Sequence, residues 1–197
     1  YRAMTRLTGQ RPHEAQAAEL ARDIVSSPSF NERDVSDKPH VIRKQSPAAA
    51  RKVVRTQQAR AGALASVDDA LAQLVEQLEE DGELDNTYIV FITDNGYQLG
   101  EHRWFGKTLP YEENLRTPML VRGPGIAPGT TTDSIATIVD LVPTFLDIAD
   151  ADSDRLLDGV SLLSTWRGET DEALHPGGVL IQGGAYKPET GPRGWLY

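Results

Sequence analysis

The segment Phe91–Lys107, FITDNGYQLGEHRWFGK, decides how this chain of 197 residues is interpreted. It begins in an apolar run that stops at Asp94, and Asn95 and Gly96 follow directly. A crowded polar stretch then leads to Lys107, 13 residues after Asp94. An apolar strand that ends on an acid and an amide indicates either a tight turn or a ligand site.

Composition excludes several classes of protein. Hydrophobic residues make up 39% of the chain and charged residues 25%, which is ordinary for a globular domain. The chain has no cysteine, which excludes disulfides, thiolate metal sites and cysteine nucleophiles. No apolar run approaches the roughly 18 residues that a membrane span requires. We therefore expect one globular domain without a membrane span.

Charge is divided unevenly along the chain. Residues 1–60 carry 12 Lys+Arg against 6 Asp+Glu, and the remainder carries 8 against 23, so the two parts have net charges of +6 and -15. The basic residues are scattered among acids and alanines, without interleaved aromatic residues. This pattern is typical of a solvated helical surface, and we expect no nucleic-acid partner.

The first half of the chain predicts one long helix after an irregular segment. Residues 1–47 contain five Gly or Pro residues and a single short helical candidate, Glu14–Val25. Residues 48–80 carry apolar residues at helical spacing, and Asp81 and Gly82 are expected to end that helix.

The second half predicts strands and a further helix. Tyr88–Thr93 is continuously apolar and β-rich, as expected of a strand buried on both faces, and Pro118–Arg122 predicts a second strand. Asp140–Ala149 predicts a helix with Asp140 as its cap. Val179–Ile181 predicts a weak strand. The long helix, the turn after it and the buried strand Tyr88–Thr93 together indicate an α/β layered fold. We expect its core at residues 48–165 and a poorly defined tail at residues 166–197.

Asp94 and Asn95 follow the first predicted strand, where ligands bind in open α/β sheets. Both side chains present oxygens, the ligand type that hard cations such as Ca²⁺ select. Ca²⁺ requires about 6 to 8 oxygens, so other groups would have to complete such a site. The alternative is a plain turn, because Asp, Asn and Gly are all turn-forming residues.

Two further side chains of the segment are candidates for chemistry. Lys107 follows Gly106, so a loop could return its ammonium to the mouth formed by Asp94 and Asn95, where a compact cation suits a tetrahedral oxyanion. A loop lysine is otherwise a solvated surface residue. His102 lies between Glu101 and Arg103 and is typical of a hydrogen-bonded loop residue.

The stretch ITDNGYQLGEHRWFGKTLPYEENLRTPMLVRGPGI resembles the sulfatase family of the alkaline-phosphatase-like superfamily, especially its N-acetylglucosamine-6-sulfatase-like and arylsulfatase-like members. Weaker similarity extends from about residue 30 to about residue 165. The resemblance implies a mixed sheet flanked by helices, of which this chain holds the carboxyl-side part of the catalytic domain. It rests on short motifs at the family's spacings: Asp94-Asn95-Gly96, Gly106-Lys107, Tyr111-Glu112, Arg116-x-Pro118 and Arg122-Gly123-Pro124-Gly125.

The resemblance also implies roles for individual residues. Asp94 and Asn95 would be two ligands of a catalytic Ca²⁺, and Lys107 would hold an oxygen of the sulfate. The substrate would be a sulfate monoester on a sugar or aryl group, carried by a small molecule or a glycan. His13 is similar to the histidine of the family's Pro-His segment, which assists proton transfer to the leaving group; the alternative is an ordinary loop histidine.

The family's nucleophile is a formylglycine made from Cys or Ser in the pattern Cys/Ser-x-Pro/Ala-x-Arg, which this sequence does not contain. The most similar segment, Ser26–Phe30, ends in Phe rather than Arg. We therefore expect part of a sulfatase domain whose formylglycine lies outside this chain. The alternatives are a phosphodiester or phosphonate ester hydrolase of the same superfamily and a non-catalytic, truncated sulfatase.

Overall fold

Residues 21–107, 109–187 and 191–196 are described by a computed structural model. The chain divides into two units. Unit 1 consists of residues 1–84 and 96–107, and unit 2 consists of residues 85–95 and 108–197. The segment Phe91–Lys107 therefore contributes to both units.

The main element of unit 1 is a long helix. Residues 21–26 are helical, which agrees with the end of the predicted helix at Glu14–Val25; residues 14–20 lie outside the described residues. A short helix α1 (His40–Arg43) precedes α2 (Ala50–Glu80), which confirms the predicted long helix. Asp81 is its C-cap, and Gly82 adopts φ +74°, a left-handed conformation that glycine favours.

The core of unit 1 lies against the first turns of α2. Ala21, Val53 and Leu99 are buried together there. Leu99 belongs to a small antiparallel hairpin of β2 (Gln98–Leu99) and β3 (Phe105–Gly106). Partly buried side chains complete this cluster: Ile24, Val25, Phe30, Val54 and Phe105.

Unit 2 contains the two predicted strands, which pair with each other. A 3₁₀ turn at Leu84–Asn86 leads to β1 (Ile89–Ile92), which pairs antiparallel with β4 (Met119–Arg122). The short helix α3 (Glu112–Leu115) precedes β4. The expectation that the first strand is buried on both faces is wrong for β1, whose four side chains are half-buried. In the part of the chain that the structure describes, β4 is the only strand paired with β1, so fewer neighbours cover it.

The predicted helix at Asp140–Ala149 forms, with an additional capped turn before it. A 3₁₀ turn (Ile138–Asp140) runs into α4 (Leu141–Ile148). Asp140 occupies the N-cap position of α4, as predicted, but its side chain makes no capping hydrogen bond to that helix; it is instead the third residue of a capping box with Thr137, which caps the 3₁₀ turn. Asp140 has helical backbone angles, whereas Thr137 is extended, as is usual for a cap residue.

The end of unit 2 contains a short helix and a hairpin. Helix α5 (Leu163–Trp166) precedes β5 (Gln182–Lys187), which pairs antiparallel with β6 (Gly191–Leu196). The predicted strand at Val179–Ile181 is wrong, because these residues precede the ladder, whose first pair joins Gln182 and Leu196. Among the described helices, none combines the length and apolar character needed to cross a bilayer.

Candidate functional site

Asp94 and Asn95 lie in unit 2, just beyond the carboxyl end of β1, as the sequence predicts. Asp94 forms a bend in the backbone and is exposed, while Asn95 is half-buried. The Thr93 hydroxyl donates a hydrogen bond to the Asn95 carbonyl at 3.3 Å. The strand therefore ends on two adjacent residues with oxygen ligands, one of which is a carboxylate open to solvent.

The other end of the strand pair is fixed by Tyr88. Its hydroxyl donates to the carbonyl of Pro124 at 2.8 Å and accepts a hydrogen bond from Arg167 at 2.9 Å. A Cβ atom at Gly123 would lie 2.2 Å from the Tyr88 ring, so glycine is required for this close approach. Gly123 thus leaves room for the Tyr88 ring, whose hydrogen bond to Pro124 holds the start of β1 against the end of β4.

The donor chemistry of Asp94 and Asn95 fits a hard divalent cation, but two side chains supply only part of the roughly six to eight oxygens that Ca²⁺ takes. Among the described residues there is no group of three or more His, Cys, Asp or Glu side chains that could hold a metal ion. A metal ion at this bend would therefore need further ligands from other groups.

Lys107 lies in unit 1, directly after β3, with an exposed side chain. The indole Nε1–H of Trp104 donates to the Lys107 carbonyl at 3.4 Å. Gly106 adopts φ +153°, and a Cβ atom there would lie 3.3 Å from the Trp104 Nε1. The indole therefore packs over the glycine and fixes the backbone that presents the lysine.

The turn of this hairpin is held by contacts to residues 32 and 33. His102 and Arg103 both have left-handed backbones, with φ of 51° and 57°. The Nδ1 atom of His102 lies 2.9 Å from the Glu32 carboxylate. Arg103 donates to the carbonyls of Glu32 and Arg33, each at 2.8 Å. His102 is therefore a hydrogen-bonded loop residue in this structure.

Residues 30–48 also contact the hairpin at the end of β2. Asn31 exchanges two hydrogen bonds with the Ala48 backbone, at 2.8 and 2.6 Å, and its own N–H donates to the Gly100 carbonyl at 2.9 Å. Gly100 adopts φ +122°, and a Cβ atom there would lie 2.5 Å from the Phe30 ring. The hairpin and the segment before α2 thus fit closely together.

Unit 2 contains a polar cluster that sequence reasoning missed. Asp140 is fully buried, and one of its carboxylate oxygens lies 2.9 Å from the Nε2 of His175. The carboxylate also accepts the N–H of Thr137 at 2.7 Å and that of Val160 at 3.0 Å. Thr144 extends the cluster, because its hydroxyl donates to the Asp140 carbonyl and accepts the Leu162 N–H.

Burial raises the pKa of Asp140, but the hydrogen bonds from Val160, His175 and Thr137 outweigh that effect and lower the pKa below 3.8. The contact with Asp140 gives His175 a structural role. A sequence signal for part of the cluster does exist, since Thr137 and Asp140 have the spacing of a capping box.

The three residues predicted for the site are distributed over the two units. Asp94 and Asn95 are adjacent in unit 2, and Lys107 ends its hairpin in unit 1. The approach of Lys107 to the pair stays a prediction. His13 lies outside the described residues.

The family model described as Sulfatase matches residues 10–151, which include Asp94, Asn95 and Lys107. The chain therefore belongs to the sulfatase family. It is 46% identical over 110 residues to human N-acetylglucosamine-6-sulfatase, an alignment that covers 55% of this chain and 20% of that protein.

Solved structures agree with the family. BT4656, solved in complex with its substrate D-glucosamine-2-N,6-O-disulfate, is 31% identical at a TM-score of 0.59, over 72% of this chain and 29% of that one. The phosphonate monoester hydrolase of Silicibacter pomeroyi is 25% identical at a TM-score of 0.60, over 93% of this chain and 34% of that one. The fold is alkaline-phosphatase-like, as expected, and the chain spans about a fifth of the human relative's length.

Proposed function

We propose that this chain is the carboxyl-side part of a sulfatase catalytic domain that hydrolyses a sulfate monoester with the help of Ca²⁺. The observation that carries the proposal is the family match, which includes all three candidate residues. The position of the Asp94-Asn95 pair, just beyond the end of β1, supports the proposal. That position is one where α/β folds present groups to ligands.

Asp94 and Asn95 would supply two oxygen ligands to the cation. Asp94 is exposed at a bend, so its carboxylate can approach an ion without a rearrangement of β1. Bound there, Ca²⁺ would supply a positive charge that polarises the sulfate group. An amide beside the carboxylate keeps both ligands oxygen-based, which favours a hard cation over a softer transition metal.

Lys107 would bind a sulfate oxygen near the scissile ester bond. Charge develops on the sulfuryl and leaving oxygens during hydrolysis, and a positioned ammonium stabilises that charge. The hairpin prepares this role, because the contact of Trp104 with Gly106 and with the Lys107 carbonyl fixes the backbone of the lysine. A formylglycine in the rest of the catalytic domain would supply the nucleophile that attacks sulfur.

We propose a 6-O-sulfated amino sugar as the substrate class. Human N-acetylglucosamine-6-sulfatase is 46% identical in the matched region, and BT4656 was solved with a 2-N,6-O-disulfated glucosamine. An aryl sulfate is the other sulfate ester that the sequence resemblance implies. Both substrates require the same hydrolysis at sulfur, so they differ only in the leaving group.

The test uses a complete sulfatase domain that contains these 197 residues. We expect it to release sulfate from N-acetylglucosamine 6-sulfate faster than from 4-nitrophenyl sulfate, and to lose turnover when Ca²⁺ is chelated. Asp94→Ala should abolish Ca²⁺-dependent turnover, and Lys107→Ala should lower kcat/KM by about 10² to 10³, as expected for the loss of one charge-stabilising group.

Asp133→Ala is a matched control, because Asp133 is also an exposed aspartate of unit 2. Its turnover should equal that of the parent. Equal turnover of Asp94→Ala and the parent would refute the metal-binding role. Absence of sulfate release by the complete domain would instead favour a non-catalytic sulfatase.

A phosphonate ester hydrolase is the second candidate, favoured by the structural similarity to the Silicibacter pomeroyi enzyme. Related sites can stabilise charge on phosphoryl and sulfuryl oxygens with the same cation and lysine. The ratio of kcat/KM for a sulfate monoester to that for a phosphonate monoester separates the two candidates. A ratio above one supports the sulfatase, and a ratio below one supports the phosphonate hydrolase.

A further inference from the structure

Unit 1 contains a cavity of about 350 Å³ beside the hairpin that presents Lys107. Residues 45–49 and Lys52 form one side of it, and residues 103–105 of the hairpin form the other. Its volume lies within the roughly 300 to 1,000 Å³ that is usual for small-molecule sites. No residue of the candidate site lines this cavity, so it is a separate place at which a ligand can bind.

The charged side chains that line this cavity are both cations. Lys52 and Arg103 belong to its lining, which contains no Asp or Glu among the described residues. Within the same part of the chain, neither cation forms an ion pair with a carboxylate. Arg103 acts on the Asp34 carboxylate only from beyond ion-pair distance. Two cations at one cavity without an adjacent countercharge favour an anionic ligand.

Both cations are positioned by contacts with the surrounding protein. The Nζ atom of Lys52 lies 3.7 Å from the centre of the Phe105 ring, a cation–π contact that uses none of the oxygen acceptors nearby. Arg103 uses two of its N–H donors for the carbonyls of Glu32 and Arg33. Its other donors can bind an oxyanion, because the planar guanidinium matches two oxygens of one anionic group.

The side of the cavity that faces the hairpin is also fixed. Asn31 holds the Ala48 backbone with two hydrogen bonds, at 2.8 and 2.6 Å. The backbone N–H of Gln45 donates to the Ile42 carbonyl at 2.8 Å. A ligand therefore meets walls that are already ordered, which reduces the entropy lost on binding.

The cavity lies close to the lysine for which we propose contact with the scissile sulfate. Trp104 lines the cavity, and its indole N–H donates to the Lys107 carbonyl at 3.4 Å. Phe105, another lining residue, precedes Lys107 by two positions, so their Cα atoms are at most about 7 Å apart. A saccharide that presents one sulfate to Lys107 can therefore place a second anionic group in the cavity.

We propose that this cavity binds a second sulfate group of the substrate through Lys52 and Arg103, so that the site prefers saccharides with more than one sulfate. The inference rests on the proposed function, because it takes Lys107 as the residue that binds the sulfate to be hydrolysed. The cavity has room for one or two anionic groups rather than a long basic groove, which favours a sulfated saccharide over a nucleic acid.

The first experiment measures binding to the 197-residue chain by isothermal calorimetry. Its probes are glucosamine 2-N,6-O-disulfate and N-acetylglucosamine 6-sulfate, which share the 6-sulfate and differ in the group on the 2-nitrogen. We expect the disulfate to bind about tenfold more tightly, because it adds charge-assisted contacts. Lys52→Met removes the charge but keeps an unbranched side chain, so it should remove most of this preference. Lys52→Arg restores the charge and should retain it.

Arg51→Met is the matched control, because Arg51 is also an exposed cation of α2 but does not line the cavity. It should keep the preference of the parent within about twofold, as expected for an exposed charge outside the site. Equal losses in Lys52→Met and Arg51→Met would show that general charge, and not the cavity, attracts the sugar.

A second measurement uses the parent chain alone and does not depend on the folding of a variant. The indole N–H of Trp104 is followed by nuclear magnetic resonance during titration with each sugar. Its signal should shift more with the disulfate than with N-acetylglucosamine 6-sulfate. Trp166 lies in unit 2 and outside the cavity lining, so its signal is the internal reference.

Sulfate release by a complete sulfatase domain separates this inference from the proposed activity. If the proposed activity is wrong, the domain releases no sulfate while calorimetry still shows the preference for the disulfate. If the inference is wrong, the two sugars bind the chain with equal affinity, or neither binds. Tighter binding of a single-stranded oligonucleotide of matched charge would also overturn it, and would assign the cavity to a nucleic acid.

Discussion

Each unit contains a carboxylate that bonds to a histidine, and the two carboxylates differ in their surroundings. In unit 1, Glu32 lies 2.9 Å from His102, and the glutamate side chain is 30% exposed. In unit 2, Asp140 lies 2.9 Å from His175, and the aspartate side chain is fully buried. The distances are equal, so the difference in burial determines what each pair contributes.

The causes of the two pKa values show this difference. The hydrogen bond from His102 is the main cause that lowers the pKa of Glu32, and Lys38 adds to it. For Asp140 the largest effect is burial, which raises the pKa, and several hydrogen bonds must together exceed it. A buried carboxylate depends on its donors, whereas an exposed one can exchange them for water.

The hairpin that presents Lys107 therefore depends little on its ion pair. It is held by the fit of Gly100 against Phe30 and by the two hydrogen bonds between Asn31 and Ala48. The Asp140 cluster, in contrast, has a charge at its centre. We therefore expect substitutions that change side-chain shape to reduce stability most in unit 1. Substitutions that change side-chain charge should reduce it most in unit 2.

Gly100→Ala should have the largest effect on stability, a loss of about 3 to 4 kcal/mol, because a Cβ atom would overlap the Phe30 ring and the residue would be strained at positive φ. Urea unfolding measures this free energy. Gly82→Ala in the same unit is the control: it has φ +74° but no atom within 4 Å of its Cβ position, so it should lose only about 1 kcal/mol. Equal losses would show that the contact with Phe30 contributes nothing.

Asp140→Ala should lower the free energy of unfolding by about 2 to 3 kcal/mol, because it leaves the buried N–H groups of Thr137 and Val160 without their acceptor. Urea unfolding at pH 7 measures the loss. Asp140→Asn retains one acceptor oxygen and a similar volume, so its loss should be smaller. If both variants lose less than about 0.5 kcal/mol, the cluster does not stabilise unit 2.

Acid should weaken the Asp140 cluster. The pKa of this carboxyl is lowered from 3.8 on folding, so its stabilisation is fully present above pH 3.8 and is lost as the pH falls through the folded-state pKa. Stability measured between pH 7 and pH 2.5 should decrease towards acid, and Asp140→Asn should reduce that dependence below pH 4. Identical pH profiles would contradict the assignment.

Glu32→Gln should have the smallest effect, below about 1 kcal/mol, because the carboxylate is partly solvated. The pKa of Glu32 is lowered from 4.5, so the small stabilisation is present above that pH and is lost as the pH falls below it. Unfolding in low and high salt measures the effect, which should shrink as salt screens the pair. A loss as large as that of Asp140→Ala would contradict the comparison.

Local patterns in the sequence predict much of this fold. The apolar period and the Asp-Gly stop define α2, and the apolar runs define β1 and β4, because both signals act over a few neighbouring residues. The burial of β1 could not be predicted in the same way, since it depends on how many strands join the sheet. The position of Asp140 at the N-cap of α4 follows from its residue type, whereas the turn before it, which Thr137 caps, was not predicted.

Residues of the candidate site differ in how far the sequence could predict them. Asp94, Asn95 and Lys107 lie within one short motif, so the resemblance to sulfatases predicts all three together, and their roles stay predictions. The bonds between Glu32 and His102 and between Asp140 and His175 join residues 70 and 35 positions apart, and no period or spacing indicates such pairs. These contacts form only when distant parts of the chain pack together, and the local patterns of a single sequence do not predict that packing.

The most direct test of the central proposal is a calcium titration of the 197-residue chain by isothermal calorimetry, after removal of metals with a chelator. Asp94 and Asn95 supply only two ligands, so we expect weak binding, with a dissociation constant of about 10⁻³ M. Asp94→Ala should weaken binding at least tenfold, and Asp133→Ala should leave it unchanged. Binding of Ca²⁺ that is equal in the parent and in Asp94→Ala would contradict the account.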